Sequence, residues 1–141
     1  MKKLLVLLVL LLPVFAADPQ SFNIWKGRDF KSVTKSATLE DFGKHSGRVT
    51  FRDKDGLVEV HQNTTDIIII EAGEATMGLG GTQVNPKTTG PGEFRSESAT
   101  GARKVPVAPG DIIRVPGGVA HQFFLAPGKT VTYLAIKVPA N

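Results

Sequence analysis

The amino-acid sequence predicts a single all-β domain, a barrel or jelly-roll-like double sheet. Three observations predict it. Short apolar runs of four to eight residues recur from Arg48 onward with Asp, Gly or Pro between them, the pattern of strands joined by turns. The 15 Gly and 9 Pro of the 141 residues interrupt the chain too often for long helices. The length suits one domain with its own core rather than two.

In chain order, residues 1–17 have the three parts of a cleaved export signal: Lys2 and Lys3, an apolar run over 4–14, and the small pair Ala16-Ala17. Cleavage is expected after Ala16 or Ala17. The apolar run stops at Asp18-Pro19, short of the roughly 20 residues that cross a bilayer, so no membrane partner is expected after cleavage. A periplasmic or secreted protein follows. It contains no Cys, which excludes both a disulfide framework and a lipid-modified N-terminal Cys. Removing the signal leaves 15 basic against 13 acidic side chains, scattered along the chain, and nucleic-acid binding is excluded for want of a basic cluster.

Residues 18–44 read as an extension that packs on the barrel, with a candidate strand over 22–25 and a short helical turn over 36–42. The barrel proper spans 45–141. Its strands are expected over 48–51, 57–61, 66–72, 75–79, 104–107, 111–115, 121–125 and 131–138. The run Ile67-Ile68-Ile69-Ile70 is apolar at every position, so both faces of that strand need cover. A homodimer is one way to provide it. Residues 80–101, rich in Gly, Pro, Thr and Ser, read as a long loop with room for a short strand at 93–95. Gly78-Leu79-Gly80-Gly81 leads to no helix and is a turn rather than a phosphate loop.

Of the three histidines, His45 lies in a Gly-Lys-His-Ser-Gly surface turn. His121 follows a strand and a Pro116-Gly117-Gly118 turn and opens the next strand, with Phe123 on its own face and Gln122 and Phe124 on the other. His61 closes a strand, Asn63 shares its parity, and Asp66 opens the isoleucine-rich strand. Glu71 has the opposite parity from Asp66 and is expected to point away. Glu59 and Glu71 flank the proposed site in sequence and are not expected to form a carboxylate pair. No nucleophile elbow and no paired-carboxylate site is evident.

The spacing Gly110, Pro116, Gly118, His121 resembles the second motif of the cupin superfamily position for position, with Leu125 where that motif ends in Asn. The first motif is present in altered form. Gly56 precedes His61 by one residue fewer, Asn63 replaces the second His, Asp66 replaces Glu after a shorter gap, and Gly73 follows at the motif's distance. The segment 85–93, Asn-Pro-Lys-Thr-Thr-Gly-Pro-Gly-Glu, is similar to one in small exported single-domain cupins. The resemblance implies a conserved β-barrel holding a divalent transition metal (Fe, Mn, Zn, Ni or Cu) through His61, Asp66 and His121, with Asn63 in the slot of the lost His. It leaves two functions open. One is a metal-dependent enzyme of oxygenase or isomerase type acting on a small molecule; the other is a non-catalytic module that binds or senses a small apolar ligand without metal.

Overall fold

The structure is a computed structural model and describes residues 23–141. The expected export signal lies outside the described residues. From Asn23 to Lys26 the backbone is irregular, and then a four-residue helix α1 (Gly27–Phe30) buries Phe30. Thirteen strands follow among the described residues: β1 (Ala37–Asp41), β2 (Ser46–Arg52), β3 (Val58–His61), β4 (Thr64–Gly73), β5 (Ala75–Leu79), β6 (Thr82–Val84), β7 (Lys87–Gly90), β8 (Glu93–Ser96), β9 (Ser98–Thr100), β10 (Arg103–Val107), β11 (Ile112–Val115), β12 (His121–Phe124) and β13 (Val131–Pro139).

All pairings are antiparallel. One sheet runs β1-β2-β13-β4-β11, the other β10-β5-β12-β3-β8-β7, and β6 pairs with β9 in a small third ribbon. The two large sheets face each other across a shared core of Ile68, Ile70, Val115, Val131 and Tyr133 from one and Met77, Val107 and Phe123 from the other. Phe123 and Tyr133 stack across the gap with ring centroids 4.5 Å apart. Alternation explains which residues enter the core: along β4, Ile68 and Ile70 point inward and are almost fully buried, while Ile67 and Ile69 point outward and are half-buried. On that outer face they neighbour Leu134 and Ile136 of β13, and Ile112 of β11, which is 70% exposed. Helix α1 lies against β4.

All eight expected strands are present. Three expectations fail. The candidate strand over 22–25 is irregular backbone where it is described, from Asn23. Residues 36–42 are not a helical turn: β1 pairs along β2, where the β-branched and polar alternation of an edge strand is satisfied by the ladder. Residues 80–101 are not one long loop but four short strands, β6 to β9, of which β8 is the short strand expected at 93–95. Their Thr and Val residues suit pleated backbone, and the Gly residues that suggested irregularity sit in the turns, with positive φ at Gly80, Gly81, Gly92 and Gly101.

Candidate metal centre

The polar cluster is a product of strand register. On β3, Glu59 and His61 are two residues apart and share one face. Glu59 stands opposite His121 of β12 on one side and opposite Arg95 of β8 on the other, while His61 stands opposite Glu93 of β8. The facing sheet contributes a second row, in which Asp66 of β4 stands opposite Lys137 of β13 and Val115 of β11. These two rows close on each other and bring together two buried imidazoles and a buried carboxylate, with Glu59 half-buried beside them.

Each of the four side chains turns one atom toward a common point and has the other atom held. Nε2 of His61 and Nε2 of His121 both lie 3.6 Å from Asp66 Oδ2 and 3.9 Å from Glu59 Oε2. Away from that point, His61 Nδ1 bonds the Glu93 carboxylate, and His121 Nδ1 faces the Val119 carbonyl at 3.4 Å. Lys137 Nζ donates to Asp66 Oδ1 at 2.8 Å, and Arg95 Nη2 pairs with Glu59 Oε1 at 2.9 Å. A carboxylate and a carbonyl are acceptors, so both histidines are assigned the Nδ1–H tautomer, which leaves each Nε2 with a free lone pair. Burial is the main cause that holds the His121 imidazole below its ordinary pKa of 6.5, opposed by the negative charges of Asp66 and Glu59, and this favours the neutral form that a metal requires. In that tautomer each Nε2 offers a lone pair beside the carboxylate oxygens of Asp66 and Glu59. One ligand atom each from Glu59, His61 and His121 lies within 4.8 Å of the others. Ligand bonds of about 2.0–2.2 Å set neighbouring donors about 3–3.5 Å apart, a spacing that the 3.6 Å contacts of both Nε2 atoms with Asp66 Oδ2 approach.

The turn between β11 and β12 fixes the two histidines relative to each other. Gly118 N donates to the His61 carbonyl at 2.8 Å, and the turn closes on itself through Val119 N to Pro116 O at 3.1 Å. Gly117 is packed so tightly that a Cβ would lie 2.7 Å from Ala140 Cβ and 2.8 Å from the Gln62 carbonyl, and Gly118 has φ +81°. A side chain is excluded at the first position and strained at the second.

No protein-family model and no curated protein matches the chain. Solved structures do. The chain is similar to BH2720 from Bacillus halodurans (TM-score 0.66, 16% identity, 87% of this chain and 84% of that one). It is also similar to a cupin protein from Bacteroides fragilis (TM-score 0.56, 13% identity, 86% and 85%). The domain has a cupin-type fold. A further similar structure is the DMSP lyase DddQ from Ruegeria pomeroyi (TM-score 0.53, 17% identity), of which this chain covers 50% while 80% of this chain is matched.

Of the residues expected in the cupin site, the structure brings His61, Asp66 and His121 together and leaves Asn63 out. Strand β3 ends at His61, and the chain turns there, with Gln62 N bonding the Gly92 carbonyl at 2.8 Å. Parity no longer applies beyond that turn: the Asn63 side chain is exposed, its amide packed over Gly92. Asn63 is therefore corrected from a ligand position to a turn residue whose carbonyl accepts from Ala140 N. Glu71 points away as expected, its carboxylate beside Gly27, where a register shift between β4 and β13 leaves it unpaired. His45 is a surface residue at the β1–β2 hairpin, beside Phe42.

Glu59 and Glu93 are the residues that sequence reasoning missed. Glu59 carried a legible signal, the same parity as His61 within one strand. Glu93 had none, since its position beside His61 depends on a strand pairing inside a segment read as a loop.

The histidine pair opens onto a cavity of about 620 Å³ between the sheets. Its walls combine the cluster with Arg48, Thr50 and Arg52 of β2, and with Phe123 and Tyr133 at the apolar end. Beyond those two rings the interior is filled by Ile70, Met77 and Val131. Burial raises the Tyr133 hydroxyl above its ordinary pKa, opposed by Arg52, whose Nε donates to the hydroxyl oxygen at 3.0 Å.

Proposed function

We propose that this cupin domain binds one divalent transition metal through His61, His121, Asp66 and Glu59 and acts through it on a small molecule admitted to the adjoining cavity. The observation that carries the reading is that each of the four donors has its second atom anchored. Glu93 and the Val119 carbonyl hold the histidines, and Lys137 and Arg95 hold the carboxylates. Such outer partners orient ligands and set their basicity, and a merely structural histidine pair has no need of all four. The donor set of two imidazoles and up to two carboxylates suits Fe, Mn, Zn, Ni or Cu. Bound there, the metal supplies a Lewis acid or an oxygen-activating centre. The chain's own residues present the lone pairs, keep His121 neutral, and shape a pocket large enough for a small organic molecule.

Two further observations support this reading over an apolar-ligand carrier. The cavity wall beside the histidines is largely charged, and the apolar half of the interior is occupied by its own side chains. The likeness to a DMSP lyase, though over half of that chain, fits an enzymatic role for the barrel. On the strength of its basic, apolar and small-residue N-terminal segment, the reading includes export to the periplasm or medium.

Metal analysis tests the proposal. Protein incubated with each of the five metals and freed of excess is expected to retain a stoichiometric amount of at least one, His121→Ala to lose it, and Asn63→Ala to keep it. Wild-type protein that stays metal-free after all five overturns it.

A further inference from the structure

We infer that the cavity takes a small organic carboxylate, its charged end bound by Arg48 and Arg52 and its other end facing the histidine cluster. The inference rests on the proposed metal centre for what happens at that second end, but the arginine half stands on separate observations.

The first is a mismatch of charge. Four cationic side chains line the cavity, Arg48, Arg52, Arg95 and Lys137, against three carboxylates, Glu59, Asp66 and Glu93. Lys137 is paired with Asp66 and Arg95 with Glu59. Arg48 and Arg52 meet no carboxylate among the described residues. A divalent ion at the cluster would add two more positive charges to the same concave site, whose walls focus the field on any entering anion.

The second is direction. Arg48, Thr50 and Arg52 share one parity on β2 and all line the cavity, with Arg48 standing opposite Ala135 and Thr50 opposite Tyr133. They form a polar stripe on the five-stranded sheet beside the row that holds Asp66 and Lys137.

The third is preorganisation with donors to spare. The Arg52 guanidinium sits 5.9 Å from the centroid of Phe123 and 6.0 Å from that of Tyr133, and among the described residues its Nε alone is hydrogen-bonded, to the Tyr133 oxygen. Arg48, on the exposed rim of the cavity, reaches Thr38 Oγ1 through Nη1 at 3.4 Å and makes no shorter side-chain bond among the described residues. Gly56 leaves the space the Arg52 head occupies, since a Cβ there would lie 3.0 Å from Nη1. Phe123 is the inward neighbour of His121 on β12, so the Arg52 guanidinium beside that ring and the histidines line one continuous cavity. A guanidinium with free N–H pairs is suited to a carboxylate, which accepts two parallel bonds, and Arg52 is already held in place for one.

The test compares succinate with its neutral counterpart succinamide, by calorimetric titration into the full mature chain, with and without Mn(II). Wild-type protein is expected to bind succinate at least tenfold more tightly than succinamide. Arg48→Gln with Arg52→Gln should erase that preference while the bound-metal content stays unchanged. Arg52→Lys, which keeps the charge and loses the fork, should retain part of it, and with Arg48→Gln alone it carries the test if the double variant does not fold. Equal binding of the two compounds, binding of neither, or a preference that survives loss of both guanidinium groups overturns the inference. An arginine-dependent preference in protein that takes up no metal separates the two proposals: the anion site stands and the metal centre falls.

Discussion

The interior of this barrel has two halves built on the same strands, and two to four residues along a strand are enough to pass from one to the other. On β12, His121 gives way to Phe123; on β4, Asp66 gives way to Ile68 and Ile70; on β13, Lys137 gives way to Ala135 and Tyr133. Alternation sends all of them inward regardless of polarity. One half satisfies its buried groups by dispersion and exclusion of water, the other by a closed set of ion pairs and hydrogen bonds. Burial therefore does not distinguish core from site here, since His121 and Asp66 are each 4% exposed and Tyr133 is 6%. What distinguishes them is whether the buried atoms have lone pairs left over.

The sharpest way to break the comparison is to damage the apolar half alone. Ile70→Ala removes a side chain with 1% exposure beside Tyr133 and Met77 and is expected to cost about 2–5 kcal/mol in denaturant unfolding, with metal affinity of the folded protein unchanged. A large parallel loss of metal affinity would show that the halves are not separable.

In the polar half, Glu93→Gln keeps the shape of the His61 partner and removes its charge. We expect roughly 10–100-fold weaker metal binding by competition titration, with unfolding free energy altered by less than about 1 kcal/mol. A variant with wild-type affinity would deny Glu93 its orienting role.

The smallest effect concerns protons. Because burial lowers the His121 pKa in the folded metal-free chain, the unfolded chain takes up that proton at higher pH. The group's favourable contribution is complete above about pH 6.5 and is lost as pH falls toward and through the folded value, with a slope of at most about 1.4 kcal/mol per pH unit. Unfolding titrations across this window should show a shallower decline for His121→Asn than for the wild type. An identical decline would place the acid sensitivity elsewhere.

Much of this arrangement is legible in the amino-acid sequence. The eight apolar runs became eight strands because apolar periodicity and turn chemistry act locally, and the Gly110-Pro116-Gly118-His121 spacing located the firmer histidine. Asn63 misled because parity holds only while a strand continues, and β3 stops two residues short of it. Glu93 and Arg95 were hidden because their neighbours are set by pairing between β8 and β3, some thirty residues apart, which no window of sequence displays. The Thr-rich strands β6 to β9 were obscured by the glycines that serve their turns.

The link from Gly118 N to the His61 carbonyl has one more consequence. The two imidazole-bearing strands are registered without any of the four donor side chains, by this main-chain bond, by the Gln122 amide on the Gly56 carbonyl, and by a turn in which Gly117 has no room for a side chain. The scaffold of the site is thus indifferent to which side chains stand at 59, 61, 66 and 121, and this amide can serve as a built-in reporter. Its hydrogen exchange should remain slow in chelator-treated protein and in ligand variants alike, because the frame is complete before any ion arrives.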